Sequence, residues 1–355
     1  MRKYYPNYSI GTDAYADIPM VCEKYGTKAV IIGGTHALAA AADLIKEAVA
    51  DSNIMITGVF EYGGEASREH IDELNSHQEV IDADMIFACG GGKAIDTCKV
   101  LSQESNRPFF TFPTIASTCA SCTSLGIIYH PDGSLREYSF QEKPSEWIFI
   151  NTQVIANAPE KYLWAGIGDT MAKFYECTTS ARGDNDLDHS TSMGVQISNL
   201  CARPLVKYGV EALEECRNHT GKALEEVILG IIVSTGFVSN LVGIDLNTGL
   251  AHACYNGFTV CKSTEEHGHL HGEIVAYCIL ILLKVDHQEE EFKKIYEFSK
   301  NMGFPVKLAD IHATIDDMDA VITKALSGID VRVWPYEVTP DMILDAVKEI
   351  EQVAL

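Results

Sequence analysis

The sequence predicts an α/β domain built on a doubly wound parallel sheet, followed by an all-α domain. Three observations carry this. Short β-rich runs alternate with helical ones over the first 150 residues, β-rich runs become rare after residue 160, and 355 residues exceed what one hydrophobic core usually supports. Strands separated by helices imply parallel pairing. The turn signal Asn157-Ala158-Pro159 divides the chain into 1–158 and 159–355.

Ala29-Val30-Ile31-Ile32-Gly33-Gly34 reads as a buried strand, and the run ALAAAADLIKEAVA after it as a helix. Ile54 to Phe60 is the next strand and 67–82 the next helix. Met85 to Cys89 is a third strand, running into three glycines and a helix from about Ala94; Phe109 to Pro113 is a fourth. After Trp147-Ile148-Phe149-Ile150 the apolar residues fall at helical spacing, as in EEFKKIYEFSKNMGF and TPDMILDAVKEIEQVAL. The stretch 227–244 runs 18 positions without a charge but holds Ser234, Thr235, Ser239 and Asn240 and lacks a basic flank, so we expect a helix buried in the helical domain.

Composition removes several functions. With 50 acidic against 27 basic residues, the formal net charge of -23 repels nucleic acid and anionic membranes. The eleven cysteines lie scattered in apolar sequence, which predicts reduced thiols and a cytoplasmic protein; the N-terminal run MRKYYPNYSIG has no signal-peptide core. The CxxC pair Cys119 and Cys122 lacks the second pair of a four-cysteine zinc site.

The run CGGGKAIDTCK, 89–99, is not a Walker loop, because Phe87 stands where that motif needs glycine and Ala94 where it needs Ser or Thr. A strand, three glycines and a helix start place unhindered N–H groups and the positive end of a helix dipole at one point. On its own the run fits either an anion cradle or a plain tight turn.

With Asp96 and Lys99 following, the run resembles the GGGKxxDxxK signature of the iron-containing alcohol dehydrogenase and glycerol dehydrogenase-like superfamily, whose fold is dehydroquinate synthase-like. Further motifs follow in family order: Phe112 to Thr118, Ile155 to Pro159, Ala165-Gly166-Ile167-Gly168-Asp169, His252 to Gly257, and His271-Gly272-Glu273. The resemblance implies an N-terminal dinucleotide-binding domain, a helical metal-binding domain, an active site in the cleft between them, and a homo-oligomer. It implies a metal-dependent oxidoreductase moving a hydride between NAD or NADP and a small alcohol or carbonyl substrate.

By the same resemblance, Gly90, Gly91, Gly92, Lys93, Ala94, Ile95, Asp96, Thr114, Ser117, Thr123, Leu125 and Tyr129 fall where the family contacts its cofactor. Asp169, His252 and His271 fall at its metal ligands. Without the family context, Asp169 reads as a helix N-cap and His252 as a core histidine. His267 and His269 compete for the third ligand position, and His269 is a possible proton relay. Two imidazoles and a carboxylate favour zinc over iron.

Two departures matter. Cys119 stands where glycerol dehydrogenases carry an aspartate that touches substrate, which puts glycerol in doubt; a similar pattern occurs in the hydroxycarboxylate dehydrogenase-like branch, so polyol and 2-oxo acid or aldehyde stand level. Ile32-Gly33-Gly34-Thr35-His36 lacks the acidic residue of NAD-preferring relatives, so NADP(H) is expected to serve at least as well. A dehydroquinate synthase-like or glycerol-1-phosphate dehydrogenase-like enzyme would need cations beyond Lys161 and Lys173. A catalytically silent nucleotide- or metal-binding protein is the reading from another class.

Overall fold

The computed structural model describes residues 4–183 and 186–354. The chain divides into two compact units. One comprises the residues up to Tyr162 together with Glu214–Ile228; the other comprises Leu163–Leu213 and the chain from Leu229 onward. The sequence boundary at 158/159 had no means of anticipating that 214–228 joins the first unit, since that pairing is set by packing.

The first unit is built on six parallel strands, β1 (Asn7–Gly11), β2 (Lys28–Gly33), β3 (Met55–Glu61), β4 (Met85–Gly90), β5 (Phe109–Pro113) and β8 (Trp147–Asn151), in the order β1-β8-β5-β4-β2-β3. An antiparallel hairpin, β6 (Leu125–Tyr129) with β7 (Leu135–Phe140), stands apart from the sheet. Alternation along the strands feeds two cores. Ala29, Ile31, Met85 and Phe87 pack with Ala41, Ile45 and Val49 of helix α1 (Thr35–Val49). Val30, Ile32, Ile86 and Ala88 pack with Ile95, Cys98 and Leu101 of helix α2 (Gly92–Ser105). A sheet with an apolar core on each face is the doubly wound arrangement, and it explains why β2 and β4 read as unbroken apolar runs.

Three local features differ from the sequence expectation. β1 and β7 escaped notice because they are largely exposed, with one buried position in β1 and none in β7, and β6 because it is short, with only Gly126 and Ile128 buried. The helix expected over 67–82 is broken at His77, whose backbone is extended and whose ring lies 4.7 Å from that of Phe60. Helix α2 begins at Gly92 rather than Ala94, because the last of the three glycines already forms its first turn.

The second unit is helical, with no strand among the described residues beyond β8. The uncharged run belongs to a helical stretch, Lys222–Leu241, that is long and apolar enough to cross a membrane, yet 61% of its most apolar window is buried within the protein. A single wide turn, Gly230–Ser234, interrupts it, with Thr235 Oγ1 donating to the Gly230 carbonyl at 2.9 Å. The stretch ends at Leu241, short of residue 244, where Val242 turns extended.

Candidate active site

Three helices of the second unit supply one cluster of donors: α3 (Lys161–Ala181), α4 (Leu250–Phe258) and α5 (His271–Val285). Two glycines bring α3 and α5 together. A Cβ on Gly168 would stand 2.3 Å from the Gly272 carbonyl oxygen, and one on Gly272 would stand 1.9 Å from that of Ala165. Backbone therefore packs on backbone, and Asp169, the residue after Gly168, meets His271, the residue before Gly272. Asp169 lies well inside α3, so it is not the helix N-cap that its local sequence suggested.

Asp169 Oδ1 lies 3.0 Å from His271 Nε2 and 3.3 Å from His252 Nε2, and the three donor atoms all fall within 4.8 Å of one another. Behind His252 stands a residue that sequence reasoning missed. Glu176, fully buried on α3, accepts the His252 backbone N–H at 2.8 Å and holds Nδ1 at 2.7 Å. A carboxylate must accept, so Nδ1 carries a proton, and Nε2, which faces Asp169, is the nitrogen whose lone pair is free for a cation when the ring is neutral. The available signal was spacing: residues 169 and 176 are two turns apart on one helix face.

Electrostatics follow from this crowding. Burial opposes ionisation of Asp169, yet His271 and His252 hold its carboxyl well below the usual carboxylate range. Burial likewise opposes charge on His252, yet Glu176 and Asp169 raise its pKa to about 10. A half-buried carboxylate facing two imidazoles, one of them oriented by a second carboxylate, is the donor set of a divalent cation with open coordination positions. The residues fit such an ion. His271 is the most accessible of the three, and the Tyr255 ring packs edge-on against it at 4.1 Å.

His267 and His269 engage other partners. His269 lies against Glu273 and His312, at 2.9 Å and 2.8 Å, and His267 Nδ1 reaches the Ser263 carbonyl at 2.7 Å. Lys173, considered as a cation for an anionic substrate, is bound to the backbone and side chain of Asn247, and Lys161 lies over the Tyr162 ring.

The first unit presents the glycine turn at the carboxyl ends of β2 and β4. The chain leaves β2 through α1 on one face and β4 through α2 on the other, which makes this the switch point where open α/β sheets bind ligands. Gly90 has φ +148°, a backbone that side chains rarely adopt, and a Cβ on Gly33 would stand 2.3 Å from the Cys89 carbonyl oxygen. Gly91 is the N-cap of α2 and no side chain caps that end, so the first-turn N–H groups suit a phosphate oxygen. Thr114 donates its N–H to the Gly90 carbonyl at 3.3 Å, and Thr118 and Ala120 border Gly92. Half-buried Ser117 and Cys119 belong to the same loop.

The remaining residues drawn from the resemblance are held differently. Lys93 pairs with Glu65 at 2.7 Å and lies over the Tyr129 ring. Ala94 faces Gly90, and Ile95 packs into the core. Asp96 is buried with both oxygens engaged, one by Lys99 Nζ at 2.8 Å and one by the Ile127 N–H at 3.1 Å. Lys99, 1% exposed, also reaches Thr123 Oγ1 and the Leu125 carbonyl. This network ties α2 to β6, so Asp96, Thr123 and Leu125 have structural work independent of any ligand.

Residues 6–146 match the family model described as iron-containing alcohol dehydrogenase. The chain is 30% identical to hydroxycarboxylate dehydrogenase A of Escherichia coli over 295 residues, 82% of this chain and 81% of that protein. The chain belongs to the iron-containing alcohol dehydrogenase family. It is also 29% identical to a glycolaldehyde reductase of Halobacterium salinarum over 347 residues, covering 96% of this chain and 93% of the relative. The crystal structure of glycerol dehydrogenase from Schizosaccharomyces pombe superposes with a TM-score of 0.87 at 27% identity, over 99% of this chain and 90% of that one. The iron-containing alcohol dehydrogenase fold is thus established, and with it a metal-dependent alcohol oxidoreductase; a nicotinamide cofactor and a small-molecule substrate are consistent with the family.

Proposed function

We propose that this family member moves a hydride between NAD(P)(H) and a small polar alcohol or carbonyl compound held at Asp169, His252 and His271. The convergence of those three donors, with Glu176 fixing the tautomer of His252, carries the reading. A divalent cation bound there supplies Lewis-acid polarisation of the substrate oxygen. Asp169 contributes the negative charge that holds a cation, and Glu176 keeps the His252 lone pair directed inward. Tyr255 restricts the ring of His271. The Gly90-Gly91-Gly92 turn and the first N–H groups of α2 take the cofactor pyrophosphate, with Thr114 and Ser117 beside them. Zinc is the ion favoured by two imidazoles and a carboxylate, although the family's name points to iron, and these donors suit both.

Cys119 replaces a carboxylate that would hydrogen-bond a polyol and repel an acid, so a polyol, an aldehyde and a 2-oxo acid all fit the reading. The names of the relatives, which include a glycolaldehyde reductase and a hydroxycarboxylate dehydrogenase, support the same span. NADP(H) is expected to serve at least as well as NAD(H), since no acidic residue lies between Gly33 and His36; Glu61 ends the neighbouring strand opposite Gly33. Eleven cysteines, none of them in a disulfide, fit a cytoplasmic enzyme, and a homo-oligomer is expected. The test is nicotinamide absorbance with glycerol, glycolaldehyde and 2-oxo acids, run with both cofactors and with Zn²⁺ or Fe²⁺ added. Metal-dependent turnover of one class is expected. Tight cofactor binding without turnover of any class would sink the reading and leave a silent nucleotide-binding protein.

A further inference from the structure

Outside the Asp169 cluster, the second unit gathers three more histidines and a carboxylate. His269 Nδ1 lies 2.9 Å from Glu273 Oε1, and its Nε2 lies 2.8 Å from His312 Nδ1. The His267 ring stacks on that of His312 at 3.6 Å, with 8° between the planes. We propose that His269 Nε2 and His312 Nδ1 form a second divalent-metal site of the zinc, nickel or copper class, separate from Asp169, His252 and His271 and independent of the function proposed above.

The hydrogen-bond pattern dictates the donors. Glu273 can only accept, so His269 Nδ1 carries the proton and Nε2 presents a lone pair to His312. The same carboxylate–imidazole relation orients His252 through Glu176, and it is the usual support of a metal-bound histidine. Metal–imidazole bonds of about 2.0–2.1 Å place two adjacent ligand nitrogens roughly 3 Å apart, close to the separation found here. In the metal-free form one proton bridges the two rings. When an ion binds, the His312 proton shifts from Nδ1 to Nε2, so both lone pairs converge with no net proton change.

The site is also anchored. Glu273 Oε2 accepts the Leu270 N–H at 3.0 Å, and buried Thr264 donates to the Ile311 carbonyl at 2.8 Å, fixing the two segments that carry the histidines. His312 holds φ +57°, which directs its ring from the end of the short helix Leu308–Ile311. An ion there would pin the segment 267–270, which leads into His271, to the turn at 312.

The test counts ions by equilibrium dialysis against Zn²⁺ and elemental analysis of the full chain. Two ions per chain are expected for the parent protein. His312→Asn keeps a residue that tolerates positive φ but removes the imidazole, and should bind one ion with unchanged catalytic activity. Glu273→Gln should weaken the second ion about 10–100-fold while its folding is checked by melting. His271→Ala should lose the other ion and keep this one, which separates failure of this proposal from failure of the proposed function. A single ion in the parent protein, or a second ion that survives His312→Asn and His269→Gln alike, would overturn the proposal.

Discussion

The glycine turn of the first unit and the donor cluster of the second use glycine for different reasons. Gly90 is needed for its own backbone angle, in a site made of main-chain groups that are neighbours in sequence. Gly168 and Gly272 are needed for what lies opposite, because they let two helices touch and so deliver side chains 102 positions apart to one point. A contiguous site tolerates drift in the rest of the fold, whereas a convergent site depends on every contact that sets its helices. Disturbing the second should therefore cost more function per unit of lost stability than disturbing the first.

The largest effect is expected at the convergent ligands. His271→Ala or Asp169→Asn should remove the catalytic ion and lower kcat/KM by roughly 10³-fold or more, with the fold intact by circular dichroism. Equal turnover with and without His271 would break the comparison. Next comes the buried ion pair that supports the contiguous site. Lys99→Met leaves Asp96 buried without its cation and should cost about 3–5 kcal/mol in denaturant unfolding. A loss of NAD(P)H affinity without that destabilisation would mean that Asp96 meets the cofactor directly.

Gly272→Ala forces a methyl against the Ala165 carbonyl and should cost about 1–3 kcal/mol, accompanied by weaker metal binding. An equally destabilising substitution in the first unit should leave metal affinity unchanged, which sharpens the contrast. The smallest effect concerns orientation. Glu176→Gln should lower metal affinity about 10–100-fold by titration.

The same residue sets a pH dependence in chelator-treated protein. The His252 pKa, about 10 in the fold, lies above the roughly 6.5 of an unfolded chain, so its stabilisation is complete below about pH 6.5 and is lost as pH rises toward 10. Asp169 is shifted down, so its stabilisation is present above about pH 4 and is lost on acidification. Melting temperatures of the metal-free protein should fall at both ends, and Glu176→Gln should flatten the alkaline limb.

The alternation of apolar runs and helices, the glycine-lysine run and the spaced motifs were readable along the chain, because each depends on the residues nearest to it. Strand β4 forms where the local pattern places it and helix α2 within two residues of its expected start, and the acidic surplus and scattered cysteines needed no coordinates. Glu176 and Lys99 were not readable as site-shaping residues, since a buried charge acquires its role from partners that folding brings to it. Spacing alone did not separate His267, His269 and His271, three imidazoles within five positions; the His271-Gly272-Glu273 motif of the resemblance did. What only the tertiary structure supplies is the reason His271 can meet Asp169 and His252: two residues without side chains, Gly168 and Gly272, let α3 and α5 approach backbone to backbone.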